Sequence, residues 1–391
     1  DDDKLLKGAI NGMLESLDPH SAYLDGAGLQ RLETMIEGNY SGLGLSVILD
    51  DGAVKIIAPM RGSPAEKAGL KAGDYITHLD GKLHYGGDLD DAVAKMRGPA
   101  GTSIRLTIFR PGRQEPFDVT VTRGVIDLEP VTHEITDNVG VIAVNEFSRD
   151  VGNDVAAAIR DMRQKAGRNL AGLVLDLRQN PGGSLDEAVA LSDLFLTKGD
   201  IVSQRGRKAA DNEFFRAEDV FPGDAAQGLP VVVLIDEGSA SASEIVAGAL
   251  QDQKRGVVMG QRSFGKGSVQ SMIGIDRTSA VKLTTARYFT PKGRSVQEGG
   301  IEPDIRVPQL SDPDARKRSE RAVRESDLRG HLINEIAVDD KKLETDKQDD
   351  PRFKMTAAEL EAQGIKDFQL HYAIQTLRRA APGAALAARR P

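Results

Sequence analysis

The stretch LPVVVLIDEGSASASEIVAGALQDQKRGVVMGQRSFGKGSVQ, residues 229–270, decides how this chain is read. Val231, Val232, Val233, Leu234 and Ile235 form a continuous apolar run between Pro230 and Asp236, the pattern of a strand buried on both faces. Gly238 breaks it. From Ser239 onward small and apolar residues recur at helical spacing, with Ile245, Ala249 and Leu250 on one side, so a helix is expected to begin among the serines. Ser241 then stands at a helix N-terminus. The first N–H groups there have no internal partner, which leaves the Ala242 amide open to an oxyanion formed beside the Ser241 hydroxyl. The same residues also spell a capping box, Ser241 with Glu244, and Ser239 and Ser243 are equally good caps. Downstream, after a short strand at residues 256–259, Gly265-Lys266-Gly267 sets a lysine among glycines. A partly buried lysine there can lose its proton and serve a serine as base; a solvated one is only a turn residue.

Composition narrows the field. The 391 residues are enough for two or three domains with their own cores. With no cysteine, disulfides, thiolate nucleophiles and cysteine-bound zinc are excluded. A net charge of −8 without a long basic stripe argues against nucleic acid as the main partner. No apolar stretch approaches the roughly 20 residues that span a bilayer. Asp1-Asp2-Asp3-Lys4 is neither a start nor a signal peptide, and Leu5, Leu6, Ile10, Met13, Leu14 and Leu17 already keep helical spacing. We therefore expect a chain cut within an N-terminal helical unit.

Four regions follow. Residues 1–38 form a helical segment broken at Asp18-Pro19, whose His20 reads as a hydrogen-bonding turn residue without assigned chemistry. Residues 39–124 are short strands and Gly-Asp turns with two short helices, SPAEKAGLKAGD and DLDDAVAKMRG. Residues 125–310 alternate strands (NVGVIAVNEFS, AGLVLDLR) with helices (VGNDVAAAIRDMRQKAG, SLDEAVALSDLFL), which implies right-handed crossovers and a largely parallel sheet. Residues 311–391 are charged, with docking helices expected around 322–336 and 354–377 and a frayed end from 380.

SASASEI followed by FGKGSVQ, with LDLRQNPGG upstream, resembles the carboxyl-terminal processing peptidases, the tail-specific serine proteases. The resemblance covers about three quarters of the chain and includes GMLESLDPHSAYLD near the start and GIEPD near residue 304. It implies an α/β, crotonase-related peptidase core with an inserted PDZ domain and helical terminal segments. It further implies Ser241 as nucleophile, Lys266 as general base and Gln270 as the residue orienting the lysine. The second oxyanion donor, beside Ala242, falls on Gly182 or Gly183. Gly42-Leu43-Gly44-Leu45, which alone would pass for a hairpin turn, resembles the carboxylate-binding loop of a PDZ domain. The implied partners are protein tails with free C-termini and, in some relatives, a helical-repeat adaptor; the terminal helices offer a route to homo-oligomers. The implied setting is a bacterial cell envelope or periplasm, and no cofactor is expected.

Other readings are weaker. Gly260 to Lys266 fits G-x-x-x-x-G-K, but Gly267 stands where Ser or Thr should meet magnesium, and SVQSMIGID reads as extended. His133-Glu134 lacks the second histidine of a zinc protease. None of the six histidines falls within residues 229–270. A catalytically silent PDZ scaffold remains the alternative, against which Ser241, Lys266 and Gln270 are all intact.

Overall fold

The Val231–Ile235 strand lies inside a six-stranded sheet of order 131–136, 139–144, 172–176, 231–235, 256–260 and 305–306. Only the first pairing is antiparallel; the other four are parallel. The computed structural model describes residues 2–60, 62–218, 220–276, 278–313, 322–334 and 353–379. It divides into two compact units, Asp1–Ile36 with Pro130–Pro391, and Glu37–Glu129.

In the larger unit successive strand residues feed opposite layers. Val231, Val233 and Ile235 pack on one face with Leu173, Leu175 and residues of the helices Val151–Ala166, Leu185–Asp193 and Ala242–Asp252. Val232 and Leu234, with Val174, Val257 and Met259, pack on the other face against Phe368, Ala373, Ile374 and Leu377 of the helix Phe368–Arg379. The C-terminal helix therefore supplies the second cover that an all-apolar strand demands. Arg178 fastens it, hydrogen-bonded to Asp176 at 2.6 Å and to Asp367 at 2.7 Å.

A second, antiparallel sheet in this unit is built on the long strand Ala280–Phe289. That strand pairs with Ser268–Gly274, with Asp200–Gly206, and with Ala22–Leu24 from the N-terminal region. The N-terminal region is thus helix Asp2–Glu15, strand, and helix Gly26–Glu37, the strand being one that helical periodicity had hidden. The region expected to be helical at 322–336 is, in its described part, irregular around one 3₁₀ turn, Glu325–Asp327. The reason is tertiary: the Glu325 side chain is fully buried and takes hydrogen bonds from other segments. In the expected 354–377 region, helices form at Ala357–Ala362 and Phe368–Arg379. The end from residue 380 lies outside the described residues.

The smaller unit holds a six-stranded antiparallel sheet around Val54, Ile56, Ile76, Leu106 and Ile108. Strand Leu45–Asp50 is at its edge, paired on one side with Ala53–Pro59. Half-buried Leu45 and Val47 of this strand and Leu89 and Val93 of the helix Leu89–Met96 pack on the same core. Gly44 has φ +72°, and a side chain there would collide with Ser63, whose hydroxyl caps the helix Pro64–Lys67. Only glycine fits this turn into the edge strand.

Candidate active site

Three serines compete in SASASE, and their hydrogen bonds separate them. Ser239 is buried; its hydroxyl donates to the Leu177 carbonyl at 2.8 Å and accepts from the Asp236 N–H. Ser243 is buried and donates to the Asn180 carbonyl at 2.9 Å. Both hydroxyls are structural. Ser241 caps nothing with its side chain: the Glu244 N–H goes to the Ser241 carbonyl oxygen instead. Its backbone stands at φ +55°, ψ −111°, a sparsely populated conformation that costs on the order of 1–3 kcal/mol. The carboxylate of Glu244 reaches back to accept the Ser241 N–H at 2.7 Å.

Glu244 also ties the serine to the lysine. One oxygen accepts from Ser241 N–H and Lys266 N–H, the latter at 3.0 Å; the other accepts from Ser263 Oγ at 2.6 Å and Gly265 N–H at 2.8 Å. Burial pushes this fully enclosed carboxyl up to about 7, against the pull of those four donors. Tyr288 makes a second bridge, its hydroxyl donating to the carbonyl oxygens of Ser241 and Lys266. Ser241 and Lys266 come from segments 25 positions apart in sequence, and two buried side chains, Glu244 and Tyr288, hold their backbones together.

The Lys266 amine is held below lysine's ordinary range, chiefly by burial and then by the neighbouring Lys282 ammonium; Glu325, Glu244 and Asp18 pull the other way. Removing an ammonium from water disfavours its charge. Gln270 lies on the strand Ser268–Gly274 just after a register shift. Its Nε2 donates to Ser268 Oγ at 2.9 Å and Thr284 Oγ1 at 3.3 Å, so its hydrogen bonds do not run to Lys266.

The NPGG turn lies against the serine. A Cβ on Gly182 (φ +104°) would sit 2.8 Å from Ser241 Cβ and 3.0 Å from Ala242 N. The Gly182 N–H is already given to Asn180 Oδ1 at 2.9 Å. Gly182 O and Ser184 N pair with Phe147. Because backbone groups alternate sides along an extended segment, the Gly183 N–H faces away from Phe147. The Asn180 carbonyl receives the Ala240 N–H at 3.0 Å on the serine side of this turn.

The structure brings the candidates Ser241, Lys266 and Gly182 together; Glu244, read from sequence only as a cap, and Tyr288, not singled out there, are the side chains that join them. Their signal is burial of a polar side chain, which linear spacing does not carry.

Fold and site together define a serine-type peptidase joined to a peptide-binding module. Residues 138–307 match peptidase family S41, and residues 55–110 match a PDZ domain. Over 85% of its length the chain is 43% identical to a carboxy-terminal-processing protease of Bartonella bacilliformis, of which it spans 76%. Over 78% of its length it is 38% identical to the carboxy-terminal processing protease CtpA of Bacillus subtilis, spanning 65% of that protein. Among solved structures, the photosystem II D1 C-terminal processing protease is similar at 29% identity and a TM-score of 0.47, over 81% of this chain and 87% of that one. The chain belongs to the carboxy-terminal processing proteases of peptidase family S41.

Proposed function

We propose that the protein is an endopeptidase that captures protein tails through its PDZ domain and cuts them with a Ser241–Lys266 dyad. The observation carrying this reading is a Ser241 of strained backbone and a desolvated Lys266 whose backbone N–H groups are held by one carboxylate, Glu244. Neutral Lys266 takes the Ser241 proton as Oγ attacks the peptide carbonyl. The Ala242 and Gly183 N–H groups receive the oxyanion, since the Gly182 N–H is spent on Asn180. Lys266 returns the proton to the leaving amine, then accepts one from the water that releases the acyl-enzyme. Gln270, which gives its Nε2 hydrogen bonds to Ser268 and Thr284, bears on the lysine only indirectly, through the strand that follows it. No cofactor takes part in this scheme.

Tail capture rests on the edge strand Leu45–Asp50, which offers free backbone groups to an added peptide strand, and on the Gly42–Leu45 loop at its start for the carboxylate. A bacterial cell envelope is the setting, with a helical-repeat adaptor and homo-oligomerisation through terminal helices as further associations, all on a crotonase-like core. The test is cleavage of an unfolded casein-type substrate: Ser241→Ala and Lys266→Ala are each expected to lose about 10⁴-fold or more in kcat. Wild-type cleavage by either variant refutes the dyad. Binding of tails with no cleavage by the intact chain favours the silent scaffold.

A further inference from the structure

The turn at residues 18–21, Asp-Pro-His-Ser, takes no part in the chemistry above, yet its Asp18 and His20 side chains lead to the loop and strand around Lys266. Asp18, 4% exposed, accepts from the His20 and Ser21 N–H groups, from Ser21 Oγ at 2.6 Å and from Thr284 Oγ1 at 2.9 Å. Thr284 Oγ1 in turn accepts from Gln270 Nε2. His20 Nε2 lies 3.0 and 2.8 Å from the two oxygens of Glu325. Gln297 Nε2 donates to Glu325 at 2.9 Å, and Gln297 Oε1 accepts the N–H of Gly267, the residue after the lysine, at 3.0 Å.

The Lys266 peptide is therefore held on two sides. Glu244 takes the N–H groups of Gly265 and Lys266, and Gln297 takes that of Gly267. Gly267 lies flat on Gln297, where a Cβ would come 2.6 Å from the Gln297 N, so the loop follows wherever Gln297 is placed. What places the Gln297 side chain is Glu325, and what faces Glu325 from the N-terminal region is His20. Burial pushes the Glu325 carboxyl up, but the His20 and Gln297 hydrogen bonds outweigh it and hold the group below its ordinary value. Asp18 is likewise raised by burial and brought lower by its hydrogen bonds. Both carboxylates act on the Lys266 amine, opposed by Lys282 and supplemented by Glu244.

Resting on the dyad reading, we propose that the 18–21 turn and Glu325, brought from opposite ends of the chain, are positioning residues for the general base. Through Gln297 they fix the loop that carries Lys266, and through Thr284 they fix Gln270. Their two carboxylates also stabilise the Lys266 ammonium that forms when Ser241 gives up its proton. A serine–lysine enzyme needs a base that is neutral at rest and well accommodated once charged, and carboxylates held near the amine but not hydrogen-bonded to it meet both demands.

The experiment compares full-length Glu325→Gln, His20→Ala, His20→Gln and Lys266→Ala in kcat and KM against pH with one chromogenic peptide, alongside thermal melting. Glu325→Gln keeps the side-chain shape and removes one charge facing Lys266. The midpoint of the kcat profile is expected to fall by about 0.5–1 pH unit, with kcat reduced about tenfold and KM within about twofold of wild type. His20→Ala is expected to lose about tenfold in kcat, and His20→Gln, which restores a donor to Glu325, to recover most of it. A purely structural role lowers the melting temperature but leaves the midpoint in place. An unshifted midpoint in Glu325→Gln with an inactive Lys266→Ala overturns this proposal and spares the dyad; an active Lys266→Ala overturns both. If Glu325→Gln does not fold, the His20 pair decides: wild-type kcat in His20→Ala, or no recovery in His20→Gln, overturns the proposal.

Discussion

Gly182→Ala is a substitution of one methyl group aimed at the nucleophile. The backbone there has φ +104°, which an alanine adopts only at a cost of about 1–3 kcal/mol. The added Cβ meets Ser241 Cβ at 2.8 Å, the Ala240 carbonyl oxygen at 2.9 Å and Ala242 N at 3.0 Å. None of these is the free end of a flexible side chain, so the overlap is relieved only by moving the serine turn, at a further cost of about 1–3 kcal/mol. The folded state is expected to lose about 2–6 kcal/mol, and the melting temperature to fall by several degrees. Activity suffers more, because the turn that yields carries both Ser241 and the Ala242 N–H. Loss of one oxyanion donor alone costs about 10²–10³ in kcat, and that is the minimum expected. Gly223→Ala is the control: its φ is +72° and its Cβ would meet nothing within 4 Å, so it carries backbone strain without intrusion and should keep wild-type kcat. The assay is peptide cleavage under saturating substrate, beside thermal melting of both variants. A folded Gly182→Ala that keeps more than about a tenth of wild-type kcat refutes the argument that this turn shapes the oxyanion site.

Ser239→Ala and Ser243→Ala each remove a buried hydroxyl that satisfies a backbone carbonyl, and each should destabilise by about 1–3 kcal/mol in denaturant titration while retaining substantial cleavage. An inactive, fully folded Ser243→Ala beside an active Ser241→Ala would show that the wrong serine has been chosen. For Lys266 the sign runs as follows: its amine titrates lower in the folded state than in the unfolded chain, so stability rises with pH between the two values. Lys266→Met should therefore be more stable than wild type at neutral pH, by about 0.5–2 kcal/mol, with the gain shrinking as pH approaches lysine's ordinary 10.4. Wild-type kcat should rise with pH to a midpoint below that value, and Lys266→Arg, which cannot act as a base near neutrality, should be inactive. A profile flat from about pH 5 to 9 removes lysine from the mechanism. Peptides ending in a free carboxylate after small or apolar residues should bind at least about tenfold tighter than their amides, as read by fluorescence anisotropy; equal affinity rejects tail capture by the 42–45 loop and leaves the peptidase chemistry standing.

Much of this molecule is legible in the chain because its signals are local. The run at Val231–Ile235, the glycine break and the small-residue helix after it reappear as strand, turn and helix, since each depends on the periodicity of a few neighbouring residues. The glycines at 44 and 182 mark turns that only glycine can make, and they do so in one dimension. What the sequence left open was the choice among three serines, the donor among two glycines, and any purpose for His20. The structure bears on the first two through where hydroxyls and amides find partners: Ser239 and Ser243 are consumed by carbonyls 62 and 63 positions away, and the Gly182 amide by Asn180. The failures have the same cause. Strand Ala22–Leu24 follows from pairing with residues 280–282, and the 322–334 segment gives up helix because Glu325 is drawn to His20, 305 positions away. Residue type and spacing determine which groups a chain carries and which local shapes it can take. Only tertiary structure decides which of those groups are desolvated, which are satisfied, and which one is left free to react, because burial and hydrogen bonding belong to contacts between distant segments.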